Sequence, residues 1–187
     1  MKYGQSFKTM AITINGNGTV TGFTALPDSA MASGSIIQVV SATSTTSQST
    51  TSYDWADTNL SASITPASSS NKIMILVQHP FRMHRSGEYD THAGIQLLRG
   101  TTVIQETRER RGGGKSEMIM GVATSASSAY YAGHHIIQFL DSPSTTSSTT
   151  YKTQYAAEYA TTLYLNQPES DSTKTPMSVM TLMEIAG

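Results

Sequence analysis

Short runs of alternating apolar and polar residues recur from residue 35 to the end of the chain, separated by Ser-, Thr-, Gly- and Pro-rich stretches. Such alternation is typical of β-strands with one buried face, and the segments between the runs lack helical periodicity. The strands are predicted at 35–43, 62–65, 72–78, 94–99, 102–108, 117–123, 134–140, 149–157, 161–166 and 178–185. Ten short strands at this spacing predict an all-β fold, an antiparallel jelly roll or β-sandwich.

One segment, 151–164, is compatible with two kinds of element. Tyr151, Tyr155 and Tyr159 stand four residues apart, as on one side of a helix. The same residues also fit a two-residue alternation with Thr153 and Ala157. Because Tyr and Thr are enriched in strands, we expect a strand here.

The first 34 residues differ from the rest and predict a short β-hairpin arm with a linker. Alternating residues at 11–14 and 19–23 flank the turn sequence Asn-Gly-Asn-Gly at 15–18. Two strands alone are not stable in water, so the hairpin must dock on its own domain or on another protein. The predicted division is 1–34 for the attachment arm and 35–187 for the main domain. The candidate attachment residues are Ile12, Ile14, Val20 and Phe23.

Two predicted strands, 73–77 and 179–185, are apolar on both faces. A strand in an antiparallel sandwich normally has one face in water. The second face is therefore predicted to be covered, by another copy of the chain or, alternatively, by a loop. The candidate residues of an oligomer seam are Ile73, Ile75, Val77, Val179, Met180, Leu182, Met183 and Ile185.

Composition excludes several functional classes. The net charge of −1 lacks the basic excess that binds nucleic acid, and no apolar run reaches the ~18 residues of a membrane-spanning helix. The absence of Cys excludes disulfides, thiol catalysis and the usual structural zinc sites. Solubility rests instead on hydroxyl groups, from 26 Ser and 27 Thr. The opening residues are too polar for a secretory signal.

No motif predicts an enzyme or a cofactor. The glycines before Lys115 and Ser116 lack both the earlier glycine and the following helix of a phosphate-binding loop. Gly-x-Ser-x-Gly is absent, and no carboxylate pair has an informative context. The adjacent His134 and His135 would point to opposite faces of a strand, so they cannot chelate one metal together. A metal held by one His per subunit on an oligomer axis is an alternative.

Two predicted loops carry the side chains best suited to recognition. The segment 78–92 contains Phe, Tyr, Arg and His residues, and the segment 53–57 contains the only Trp. Aromatic and Arg side chains offer large contact areas and planar hydrogen bonding. The alternative is that Trp55 and Phe81 cap the ends of the sandwich. The candidate ligand-binding residues are Trp55, Phe81, Arg82, His84, Arg85, Tyr89 and His92.

Five segments of the chain resemble the C-terminal domains of tail fibre and other virion proteins of tailed phages, particularly marine and cyanobacterial ones. They are residues 59–66, 71–77, 94–104, 140–155 and 181–187. Residues 10–22 resemble the way such proteins begin, which makes Met10 an alternative start to Met1. The segment 97–103 is also similar to the central hairpin of C1q/TNF-like jelly rolls, which are trimers.

The resemblance implies a non-enzymatic virion protein that is assembled in the host cytoplasm. The expected role is a short tail fibre or receptor-binding tip, a homotrimer whose N-terminal arm binds another virion protein and whose loops contact a host surface glycan. The first alternative is a decoration or head-fibre protein on the capsid shell. The second alternative is a small carbohydrate-binding or carbohydrate-active protein.

Overall fold

The computed structural model describes residues 13–14, 20–21, 31–86, 92–106, 128–158, 161–168 and 175–187. Every regular element in these ranges is a β-strand. The strands are β1 (Thr13–Ile14), β2 (Val20–Thr21), β3 (Ile36–Ser44), β4 (Gln48–Thr50), β5 (Ala56–Ile64), β6 (Lys72–Ser86), β7 (His92–Arg99), β8 (Thr102–Glu106), β9 (Ser128–Asp141), β10 (Thr149–Glu158), β11 (Thr161–Leu165) and β12 (Ser178–Ile185).

Strands β3 to β12 form two antiparallel sheets. The smaller sheet has the order β5-β10-β7-β8. The larger sheet is built around β6, whose 15 residues pair with β9 along one edge. Along the other edge, β12 pairs with the first half of β6 and β11 with the second half; β3 and β4 lie outside them. This arrangement confirms the all-β antiparallel sandwich.

The core lies between the two sheets and takes alternate residues from each. The smaller sheet contributes Leu60, Ile64, Ile95, Leu97, Tyr151 and Tyr155. The larger sheet contributes Ile73, Ile75, Val77, Phe81, Met83, Ile137, Leu163, Leu165, Met180 and Leu182. Burying each large side chain contributes about 1.5–3 kcal/mol, so this shared layer is what holds the sheets together.

The predicted strand 178–185 is confirmed at both ends, and the described part of 151–164 forms strands β10 and β11, as expected.

The prediction of a loop over 78–92 is wrong for residues 78–86, because β6 continues to Ser86. Residues of β6 remain paired with β9 over this whole stretch, so the backbone hydrogen bonds extend the strand despite its polar side chains. Strand β5 is likewise longer than the predicted 62–65. The predicted strand 117–123 lies outside the described residues.

Strands β7 and β8 form a tight hairpin through Gly100 and Thr101. Gly100 has a φ of 60°, a conformation that a residue without a Cβ adopts at no steric cost. Its backbone N–H donates to the carbonyl of Thr150 at 2.8 Å, which ties the turn to β10. The predicted strands at 94–99 and 102–108 therefore form a hairpin over their described residues.

The two strands of the predicted N-terminal hairpin pair antiparallel, with Thr13 opposite Thr21 and Ile14 opposite Val20. The other two candidate attachment residues, Ile12 and Phe23, lie outside the described residues. The boundary at 34/35 stays a prediction. Backbone hydrogen bonds join this point to the chain end, from Gly34 to the Ala186 carbonyl and from Ala186 to the Ser35 carbonyl, each at 2.9 Å.

Candidate functional site

The face of the larger sheet that points away from the core, here called the outer face, carries two different surfaces. Along β6, the core-facing residues are buried from Ile73 to Arg85, and the residues between them point outward. After the exposed Lys72 at the start of the strand, the next outward residues, Met74 and Leu76, are apolar. The later ones, Arg82 and His84, are polar. The change of chemistry divides the outer face near residue 79.

The first surface, the apolar half, contains a row of apolar side chains that crosses four strands. Val39 is opposite Met183, Met183 is opposite Met74, and Met74 is opposite Leu140. Directly paired residues project from the same side of a sheet, so the four side chains are neighbours. Val39 is 57 % exposed and Leu140 is 47 % exposed. The row is thus an apolar surface that this chain leaves in water.

A shallow hollow of about 370 Å³ lies beside the row, between β12, β6 and β9. It is lined by Leu76, Val77, Gln78, Ile136, Gln138, Val179 and Thr181. Ile136 at its rim is 60 % exposed. The hollow extends the apolar half toward the middle of the sheet.

The candidate seam residues separate into two groups. Five lie in the chain's own core and do not reach the surface: Ile73, Ile75, Val77, Met180 and Leu182. The other three, Val179, Met183 and Ile185, lie on the outer face and are half-buried. A second copy would therefore contact the second group and its apolar neighbours on β3, β6 and β9.

The second surface, the aromatic half, is centred on Arg82. The guanidinium carbon lies 4.8 Å from the ring centroid of Tyr164 and 5.3 Å from that of Tyr130. Arg82 also donates through Nη2 to Oε1 of Gln167 at 2.8 Å. The rings of His84 and Tyr130 stack with centroids 4.4 Å apart. These contacts hold the cation in one orientation, because cation–π and hydrogen-bond geometry restrict its rotamers.

A hollow of about 400 Å³ adjoins Arg82. Its lining is Pro80, Phe81, Arg82, Ala132, Gly133, His134, Gln167 and Pro176. Arg82 has no carboxylate partner among the described residues, and its Nε atom is buried without a hydrogen bond there. The hollow thus combines small apolar walls with a positive charge that no acidic side chain in the described ranges neutralises.

The structure brings together only part of the candidate ligand-binding set. Arg82 and His84 share the aromatic half, whereas Phe81 and Arg85 alternate with them and are buried. His92 begins β7 in the other sheet, and Trp55 is half-buried just before β5. Tyr89 lies outside the described residues.

Sequence reasoning missed the partners of Arg82. Tyr164 is its register partner on β11, and Tyr130 is the partner of His84 on β9. Both lie more than 40 positions away along the chain from β6. The alternation of Tyr130, Ala132 and His134 predicts a shared face, but the pairing with β6 is needed to place that face beside Arg82.

A chain of hydrogen bonds crosses the interior beneath the border between the two halves. His79 contacts Ser178 Oγ through Nδ1 at 2.8 Å and Thr153 Oγ1 through Nε2 at 3.0 Å. Ser178 donates to Asn166 Oδ1 at 2.7 Å, and the Thr153 and Thr58 hydroxyls are 2.6 Å apart. Because the Ser178 proton goes to Asn166, His79 must donate through Nδ1 and accept through Nε2.

The surroundings of this Ser–His pair fit a structural role. His79, Ser178 and Thr153 are all buried in the sandwich, so no substrate reaches them in this conformation. Burial, together with the nearby His135, lowers the pKa of His79 to about 3. Burial also lowers the pKa of His135 to about 4. His79 is therefore neutral at pH 7 and fits the hydrogen bonds on both of its sides.

A second buried polar group, Glu184, fastens the end of the chain. Its carboxylate accepts hydrogen bonds from Asn71 Nδ2 at 2.6 Å, Gln38 Nε2 at 2.5 Å and the backbone N–H of Ala67 at 2.7 Å. Burial acts to raise the pKa of Glu184, but these hydrogen bonds outweigh it and hold the pKa below its usual value. The carboxylate thus links β3 and β12 to the loop that precedes β6.

Within the described ranges, no three His, Cys, Asp or Glu side chains are grouped so as to hold a metal ion. A metal bound by one His from each subunit stays a prediction. The same ranges contain no helix with the length and hydropathy to cross a membrane.

No protein family and no curated protein matches the sequence. Among solved structures, a chain from the structure of the Gx strain of infectious bursal disease virus aligns with 10 % identity and a TM-score of 0.33. The alignment covers 82 % of this chain and 39 % of that chain, so this chain spans well under half of its length. A similarity at this level carries no function from that protein to this one.

Proposed function

We propose that this chain is a non-enzymatic structural protein of a phage virion, a short tail fibre or receptor-binding tip attached to the particle by its N-terminal arm. The observation that carries the proposal is the apolar row on the outer face. A chain that acts alone gains nothing from exposing such a row, whereas a chain that assembles with copies of itself buries it.

The chemistry of the row favours a second copy of the chain as its partner. Val39, Met74, Met183 and Leu140 carry neither charge nor hydrogen-bonding groups, so an apolar surface is the complement they need. Copies of one chain offer that complement automatically and associate with closed symmetry. The similarity to C1q/TNF-like jelly rolls supports three copies.

The aromatic half supports the receptor-binding part of the proposal. Exposed Tyr side chains and an oriented Arg are the groups that dominate recognition surfaces. Tyr130 is 62 % exposed, and the hollow beside Arg82 is open to a ligand from outside. A capsid decoration protein would have no need of such a surface, which is why we place the chain on the tail.

The assembly is tested by placing charge in the apolar row. We expect Val39→Asp combined with Met183→Asp to yield monomers, because each carboxylate would lose its water on association. Sedimentation velocity of the full chain measures the change. The control is Ser61→Asp, an exposed position on the outer side of the smaller sheet, which should leave a trimer. An unchanged oligomer in the double variant would contradict the proposed interface.

The location on the particle is tested separately. Particles produced with the full chain or with a chain that lacks residues 1–34 would be compared by cryo-electron microscopy. We expect the full chain at the tail and the shortened chain to be missing from the particle while remaining folded. Density over the capsid shell would favour the decoration protein instead.

A further inference from the structure

We propose that the hollow beside Arg82 is a binding site for a carboxylate-bearing saccharide. This inference rests on the receptor-binding role proposed above and names the class of ligand and the place where it binds. It moves the site from the predicted loops to the outer face of the larger sheet, between the second half of β6, the first half of β9 and the residues Gln167 and Pro176.

Charge is the first argument for an acidic ligand. Among the described residues, the lining contains Arg82, His134 and Gln167 as polar side chains and no Asp or Glu. The described residues also place no carboxylate against Arg82. An oriented guanidinium binds a carboxylate through parallel hydrogen bonds, which are about twice as strong as bonds between neutral groups. The described part of the hollow is thus suited to an anion and places no negative charge against it.

The remaining surface suits a sugar ring better than a simple ion. Pro80, Ala132 and Pro176 supply apolar walls, and a volume of about 400 Å³ is far larger than a carboxylate requires. The C–H faces of a sugar ring can pack on such walls, while its hydroxyls can bond to Gln167 and His134. A saccharide that carries a carboxylate uses both kinds of surface, whereas a neutral one leaves Arg82 without a counter-charge.

The site is also held ready for its ligand. Arg82 is positioned by two aromatic rings and by Gln167, and the lining from β6 and β9 belongs to paired strands. A cation that is already oriented loses little side-chain entropy on binding. The site therefore needs no conformational change to accept a carboxylate.

The test is isothermal titration calorimetry of the full chain with oligogalacturonate and with its methyl ester. The two probes share their ring and hydroxyl groups and differ at the carboxyl group, which is charged in the acid and neutral in the ester. We expect the acid to bind and the ester to bind about tenfold more weakly or not at all. Equal affinity for both probes, or no heat with the acid, would overturn the site. Acetate should not compete at equal concentration, and effective competition would overturn the saccharide part.

Variants locate the binding. Arg82→Met keeps the side-chain stem and should lower the affinity for the acid about tenfold or more. The matched control is Lys72→Met, which makes the same change of charge on the outward side of the same strand, ten residues away. Ala132→Trp fills the hollow from an exposed position and should also abolish binding, so the test does not depend on Arg82→Met folding. Wild-type affinity in folded Arg82→Met and Ala132→Trp proteins would overturn the proposal.

The outcome is separable from that of the proposed function. If the chain sits on the tail and mediates adsorption but does not bind the acid, only the saccharide site fails. If the purified chain binds the acid but is absent from particles, the virion role fails and the site remains.

Discussion

The two halves of the outer face are built on the same two long strands and yet are suited to opposite tasks. In the apolar half, β6 and β9 present Met74, Leu76, Ile136 and Leu140. In the aromatic half, the same strands present charged and aromatic side chains around Arg82. An apolar surface is stabilised by the loss of water, so it favours permanent burial. A guanidinium is a permanent positive charge, so it must remain hydrated or pair with an anion.

One continuous β-surface is thus divided into an apolar and an aromatic part by the side chains that it presents. Most of the side chains in both halves come from strands, and in the aromatic half Gln167 and Pro176 are added from outside them. The division lies above His79, whose hydrogen bonds connect β6 with β10 and β12. The interior chain of polar groups therefore supports both halves at once, and the first two predictions concern its stability.

The largest expected effect comes from acid. The pKa of His79 lies near 3 in the folded chain and at its ordinary 6.5 when unfolded, so below pH 6.5 only the unfolded chain takes up the proton. Stability is fully present above pH 6.5 and falls steadily as the pH drops toward 3. Between pH 7.5 and 5 we expect a loss of about 2 kcal/mol from His79, with His135 acting in the same direction.

Urea unfolding at several pH values measures this loss. His79→Gln should be less stable at pH 7.5 but should show a flatter dependence on pH, because it removes the titrating group. The same slope in the variant and in the wild type would show that His79 is not its source.

The next prediction concerns Ser178→Ala. The change leaves the Nδ1 proton of His79 without an acceptor and removes the donor to Asn166, at a cost of about 1–3 kcal/mol. The control is Ser41→Ala, at an exposed position of β3, where the hydroxyl donates to the Met180 carbonyl at 3.3 Å. Thermal unfolding of the two variants checks the difference. An equal loss in both would mean that the buried chain of hydrogen bonds adds little.

A matched pair of substitutions on β9 should have the smallest effect on stability and tests the division of the outer face most directly. Leu140→Ser and Tyr130→Ser each shorten a large exposed side chain and should change the free energy of unfolding by about 1 kcal/mol or less. We expect Leu140→Ser to weaken only self-association and Tyr130→Ser to weaken only binding of oligogalacturonate. Sedimentation and calorimetry on both variants measure this, and a variant that lowers both would contradict the division of the face.

Part of the candidate site could be predicted from residue types and part could not. Arg82 and His84 stand in a segment rich in recognition residues, so their types identified them. Phe81 and Arg85 belonged to the same predicted set but are buried, because the segment is a strand and its side chains alternate between the core and the surface. Pro80 and the cluster of charges favoured a loop there, and the long pairing with β9 overrode that preference.

By itself, the sequence determined the all-β class and the bounds of β12, because two-residue alternation is a local property that each strand carries within its own residues. It also predicted that residues 73–77 of β6 and 179–185 of β12 carry apolar side chains on both faces. Only the tertiary structure decided which of those faces enters the chain's own core and which stays on the surface, since alternation is symmetric and both sides are equally apolar. The meeting of Arg82 with Tyr130 and Tyr164 was decided there too, because the pairing of strands far apart in the chain depends on how the whole sandwich packs.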